Sequence, residues 1–103
     1  MAIVIVQSAT ATTPGATTLT ATFGSAPTNN NLLVILAFTR TDAGMTGPSG
    51  WTVDKDVVNA TSADTARIAS KVVSWDVTAV QLTGLSATVA TVMKIYEVSG
   101  LVT

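Results

Sequence analysis

Leu32-Leu33-Val34-Ile35-Leu36-Ala37-Phe38 is the longest uninterrupted apolar run in the chain, and its reading decides the fold. It is far below the roughly 18 residues that a membrane-spanning helix needs. Turn-forming residues bound it, from Gly24 to Asn31 before it and from Gly44 to Gly50 after it. A short run that is apolar at every position is the pattern of a strand covered on both faces, by the protein itself or by a neighbour. We therefore expect Leu32 to Phe38 to be the central strand of a sheet.

The segments around it read as further strands. Thr17 to Phe23 alternates, with Leu19, Ala21 and Phe23 on one face and Thr18, Thr20 and Thr22 on the other, so it predicts a strand with one wet face. Trp51 to Val58 alternates imperfectly; Trp51, Val53 and Val57 are expected inward, Asp54, Lys55 and Asp56 near an exposed turn, and a bulge would reconcile the two. Thr65 to Trp75 has a helical alternative capped by Ser62 or Asp64, but Val72-Val73-Ser74-Trp75 is poor helix material, and a strand is favoured. Ala79 to Leu85 and Thr88 to Val98 are expected to close the fold as a pair around Gly84-Leu85-Ser86. Ile3 to Val6 is apolar on both faces and is expected at a sheet edge, and the N-terminus is read as part of the fold because Ala2 to Val6 is too short for a signal-peptide core. With turn signals every ten to fifteen residues, the chain is predicted to be all-β: a single antiparallel β-sandwich over residues 1–103, jelly-roll-like, with about seven or eight short strands.

Composition narrows the chemistry. The 103 residues include no His and no Cys, five basic and six acidic side chains, and a formal net charge of -1. Charged residues are 11% of the chain, against about 25% in average soluble domains. Thr, Ser and Asn supply the solvation, or other subunits bury the surface. Arg40, Lys55, Arg67, Lys71 and Lys94 are scattered without an aromatic-basic patch, so no nucleic-acid partner is expected, and no membrane span either.

Candidate sites are few. Without His, acid–base catalysis would need paired carboxylates, and Asp42, Asp54, Asp56, Asp64 and Asp76 fall in or near turns or strand ends, where solvated side chains are the expectation; Glu97 is the exception in position. Asp54-Lys55-Asp56 lacks the glycine that a calcium loop favours. No Gly-x-Ser-x-Gly elbow and no phosphate-cradling loop occurs. The chain is therefore expected to be neither an enzyme nor a cofactor or metal carrier. Asn59-Ala60-Thr61 matches a glycosylation acceptor, relevant only to a secreted eukaryotic protein. Trp51 and Trp75 could stack on sugars in a carbohydrate-binding module, but a core role is favoured for both.

Four short motifs, spread over most of the chain, carry a resemblance. They are Ser25-Ala26-Pro27-Thr28 leading through Asn31 to Leu32-Leu33-Val34; Pro48-Ser49-Gly50-Trp51-Thr52; Lys71-Val72; and Ile95-Tyr96-Glu97-Val98-Ser99-Gly100. In this order they resemble a β-sandwich domain recurrent in bacteriophage virion and tail-fibre-like proteins. The chain departs from that pattern at Ala69-Ser70, where the family commonly has aromatic residues. The resemblance implies a virion location and a structural role, first as a capsid decoration or cement protein clamping the major capsid protein, alternatively as a tail fibre or baseplate module contacting other tail proteins. It also implies a homo-oligomer, with a trimer expected for decoration proteins. Ile3, Val4, Ile5 and Val6 are the candidate subunit-contact residues, because an edge strand satisfies its backbone by joining a neighbour's sheet.

Overall fold

The computed structural model describes residues 2–41, 45–74 and 78–100. Among them are seven strands and no helix: β1 (Val4–Thr13), β2 (Leu19–Thr22), β3 (Leu32–Thr39), β4 (Thr52–Asn59), β5 (Asp64–Val72), β6 (Ala79–Leu82) and β7 (Thr91–Ser99). Every pairing is antiparallel. Five strands form one sheet in the order β1-β7-β3-β5-β4, and β2 with β6 forms the second. The all-β sandwich expected from the sequence is the fold observed.

β3 is the central strand. Each of its residues from Leu32 to Thr39 has a partner on β5 and another on β7. Its inward residues Leu33, Ile35 and Ala37 meet Leu19, Ala21 and Phe23 from around β2, Val80 and Leu82 from β6, and Met93 and Ile95 from β7 in one core. Ala9, Ala11 and Trp51 pack against that core from its margins. The alternation of Thr17 to Phe23 is thus realised, with Leu19, Ala21 and Phe23 buried and Thr20 and Thr22 exposed.

The outer face of β3 is not covered by the chain itself. The run is apolar on both sides, yet this chain covers only one of them: Leu32 and Val34 are half-buried, while Leu36 and Phe38 are 40% and 38% exposed. A two-stranded second layer covers one face of the five-stranded sheet, and nothing in the described chain forms a third layer.

The closing pair is corrected. β6 pairs with β2, Leu19 opposite Leu82 and Ala21 opposite Val80, whereas β7 lies between β1 and β3. The matching of apolar faces explains the choice. Val80 and Leu82 match the single apolar face of β2, and Met93 and Ile95 match Ala37 and Ile35 in register. Around Gly84 the chain is held to the other sheet's connections: Thr46 and Thr83 exchange two backbone hydrogen bonds of 2.9 and 2.8 Å, and Leu85 N–H donates to the Thr17 carbonyl at 3.1 Å.

β4 carries the expected bulge, a register shift between Val53 and Lys55. Its valines, however, do not face a core. β4 is exposed along its whole length, because it is the sheet edge farthest from β1 and the second layer does not reach it. Trp51, just before β4, is the one apolar residue of that segment that joins the core margin. The Thr65 to Trp75 segment is strand as far as Val72, and Trp75 lies outside the described residues, as do Asp42, Gly44 and Asp76. The β4–β5 hairpin is turned by Asn59, whose Oδ1 accepts from the Thr61 and Ser62 N–H groups at 3.1 and 3.3 Å, and by Ala63 at φ 55°.

Gly84 has φ +66°, where a side chain is strained, and an added Cβ would sit 3.0 Å from Thr46 Oγ1. Gly84→Ala should therefore lower unfolding free energy by about 1–2 kcal/mol in urea titration, with an unchanged m-value.

Candidate functional site

Two features stand out above the fold: a buried carboxylate at one end of the sheet and an open apolar outer face. The first follows from alternation in β7. Met93, Ile95 and Glu97 share its inward side, so the strand that fills the core with two apolar side chains also carries an acid into it. Glu97 is 1% exposed.

A buried carboxylate requires donors, and three converge. Gln7 Nε2 on β1 donates to Oε1 at 2.7 Å, while the Thr28 N–H and Asn31 Nδ2, from the β2–β3 connection, donate to Oε2 at 2.8 and 2.7 Å. Gln7 is itself fixed by Ser25, donating to its carbonyl at 3.0 Å and accepting from its N–H at 3.3 Å. Burial pushes the Glu97 pKa up, but the hydrogen bonds from Thr28, Asn31 and Gln7 outweigh it, and the group is held below its ordinary value of 4.5. It stays ionised, with both oxygens engaged, which suits a latch and not a proton carrier.

The motifs that carry the resemblance meet here. Ser25, Thr28 and Asn31 from the first, and Glu97 from the last, form the latch itself. Gln7, Glu97, Leu33 and Lys71 lie in one register row across β1, β7, β3 and β5. Gly50, in the Pro48-to-Thr52 motif, faces Lys71: a Cβ added to it would lie 3.8 Å from Lys71 Cε, an ordinary contact. Gly50 has a φ of +86°, a conformation that favours glycine. Glu97, the one acid that the sequence sets apart from turns and strand ends, is buried, and its period-two spacing from Met93 and Ile95 is the signal for that.

The other sequence candidates are dispersed. Asp56 is bound by Arg67, whose Nε and Nη2 donate to its two carboxylate oxygens at 3.2 and 3.1 Å. Among the described residues no three acids gather as a metal site would require. Trp51 packs on the core margin, as favoured, and does not stand free as a stacking platform.

The outer face of the larger sheet is built from two register rows. One runs Lys55, Ile68, Leu36, Lys94, Thr10; the next runs Val57, Ala66, Phe38, Val92, Thr12. From β4 to β7 they line an open groove of about 410 Å³ with an apolar floor. Lys55 and Lys94 bracket the floor, and the rows contain no acid. Lys94 Nζ lies 5.4 Å from the centroid of the Tyr96 ring, the next outward residue of β7. An adjoining hollow shares Phe38 and Val92 and adds Arg40. Long lysine stems can flank apolar surface while their heads stay in water.

Ile3, Val4, Ile5 and Val6 lie where an edge strand was expected. β1 is the outermost strand beside β7, and Ile3 and Ile5 are 65% and 60% exposed. Val6 occupies the register shift between Ile5 and Gln7.

No protein-family model, curated protein or solved structure matches the chain.

Two predictions follow from these geometries. Glu97→Gln places an amide N–H₂ among three donors and should cost about 1–3 kcal/mol at pH 7. Because folding lowers the Glu97 pKa, its stabilisation is full above 4.5 and is lost as pH falls through the folded value. The stability gap between native chain and variant, followed by denaturant titration, should narrow below that pH. On the outer face, paired Leu36→Thr and Ile68→Thr substitutions should cost less than about 1.5 kcal/mol each, since both side chains are already partly in water. They should also markedly reduce binding of a fluorescent apolar dye.

Proposed function

We propose that this chain is a structural subunit of a bacteriophage particle, acting as a capsid decoration or cement protein that lays its outer sheet face on a neighbouring capsid subunit. The observation that carries the reading is the pair of apolar rows through Leu36 and Phe38, bracketed by Lys55 and Lys94. Monomeric soluble proteins seldom expose a large contiguous apolar face, and one this organised fits a contact surface. It belongs to a chain with 11% charged residues, which has little else to keep such a face solvated.

The virion itself enters through the resemblance. The residues that carry it are not scattered decoration: Ser25, Thr28, Asn31 and Glu97 form one hydrogen-bonded latch. That coherence supports kinship with the phage sandwich domain. The lysine bracket sets the chemistry of the neighbour: an apolar ridge flanked by carboxylates that reach Lys55 and Lys94. A stable contact of this kind buries about 800 Å² on each partner, and the exposed Ile3 to Val6 segment is a further contributor.

Purified particles should contain this polypeptide in fixed stoichiometry with the major capsid protein, and an antibody or affinity label should decorate the head. A double Leu36→Lys, Ile68→Lys variant should fold and yet be incorporated at least about tenfold less, since charges replace the apolar contact. Absence of the chain from particles would reject the proposal. A label on the tail would assign it instead to a fibre or baseplate.

A further inference from the structure

The two edges of the five-stranded sheet are protected very differently. β4 carries Asp54, Lys55 and Asp56 at its middle together with a bulge, which are devices that prevent edge pairing. β1 carries neither charge nor proline from Val4 to Thr13, and its one register shift lies between Ile5 and Gln7. That leaves Gln7 to Thr13 as a regular stretch, paired residue for residue with Glu97 to Thr91 on β7. Pro14 then ends it. Among the described residues, no backbone hydrogen bond reaches β1 except its ladder with β7. Alternate N–H and C=O groups along seven residues therefore point away from the sheet.

We propose that this edge pairs with the same edge of a second copy of the chain, antiparallel and about a twofold axis at Thr10, joining two five-stranded sheets into one of ten strands. Self-complementarity selects the occupant. A stretch without charge repels no copy of itself, whereas the outer face, bracketed by Lys55 and Lys94, repels its own image and suits a foreign partner.

The register follows from side-chain parity. Opposite residues in an antiparallel pair point to the same face, so exposed Ser8, Thr10 and Thr12 must meet one another and half-buried Gln7, Ala9, Ala11 and Thr13 must do likewise. Centring on Thr10 pairs all seven residues: Gln7 with Thr13, Ser8 with Thr12, Ala9 with Ala11, and Thr10 with itself. Hydroxyl pairs form along the outer side, and small residues meet on the inner side, where bulk would collide with the second layer. The twofold stands perpendicular to the sheet, so both basic apolar faces look the same way and form one continuous platform. The pairing uses the backbone edge of β1 from Gln7 to Thr13, beside the outer face and the Ile3 to Val6 segment assigned to the capsid neighbour, and it holds or fails whether or not the chain is a virion protein.

The test uses the full chain in solution. Sedimentation velocity across a concentration series should show a reversible dimer, and Thr10→Lys, which sets two like charges opposite each other on an exposed position, should weaken it about tenfold or more with unchanged circular dichroism. The register has its own readout because the chain has no cysteine. Opposed residues lie within disulfide reach, so Thr10→Cys should give a covalent dimer on mild oxidation. Ser8→Cys alone, with its symmetry mate about 13 Å away, should not, whereas an equimolar mixture of Ser8→Cys and Thr12→Cys should. A monomer at every concentration or a trimer would overturn the pairing. So would a dimer indifferent to Thr10→Lys but lost on Leu36→Thr, or cross-linking through Ser8→Cys in preference to Thr10→Cys.

Discussion

A carboxylate that must stay ionised inside a protein imposes more order than any single apolar contact, and Glu97 imposes it on three parts of this fold at once. Its acceptor capacity is met only if β1 lies beside β7 so that Gln7 reaches Oε1, and only if the β2–β3 connection folds back so that Thr28 and Asn31 reach Oε2. The arrangement therefore fixes the chain on both sides of its passage to the second layer. It also places Asn31, whose backbone carbonyl accepts from Val73 N–H at 2.8 Å, at the start of the central strand. An incomplete set of donors would leave a buried charge unpaired, so the network acts as a unit.

The opposite end of the inner face solves the same problem without charge. Thr39, Thr65 and Thr91 occupy one register row across β3, β5 and β7, all buried. Thr39 and Thr91 share a hydroxyl–hydroxyl hydrogen bond of 2.8 Å, and Thr65 donates to the Thr41 carbonyl at 2.7 Å. The core proper, from Leu33 to Ala37 on β3, is thus closed by a threonine row at one end and by the Glu97 row at the other. Threonine suits the role because its β-branch fills a strand position while its hydroxyl finds a local partner.

What was legible in the sequence is what depends on local periodicity. Leu32 to Phe38 announced the central strand, Thr17 to Phe23 a half-wet one, and the broken alternation of Trp51 to Val58 a bulge; each is present. What was not legible depends on which strands share a layer. Alternation in Ala79 to Leu82 is equally compatible with pairing to β7 or to β2, and only the matching of apolar faces in three dimensions decides for β2. Coverage is likewise a property of areas and not of runs. Two four-residue strands cannot shield five strands of up to ten residues, so Val53, Val57, Leu36 and Phe38 remain partly or wholly in water despite sequence patterns that suggest burial. Glu97 was hidden for a related reason: its donors come from sequence separations of 66 to 90 residues, and no local pattern brings them together.

The imbalance between the two layers is also where fold and function join. A five-stranded sheet backed by two short strands necessarily leaves an unmatched face, and natural sequences ordinarily make such a face polar. This one places Leu36, Phe38, Ile68 and Val92 there, with Lys55 and Lys94 at the flanks. Their cross-strand pairs contribute only modestly to the isolated fold, whose core lies on the other side of the same strands. In the proposed function the partner supplies the benefit, and what the face offers it is a strand-built surface with few rotatable groups to immobilise and a cationic margin to orient whatever settles on it.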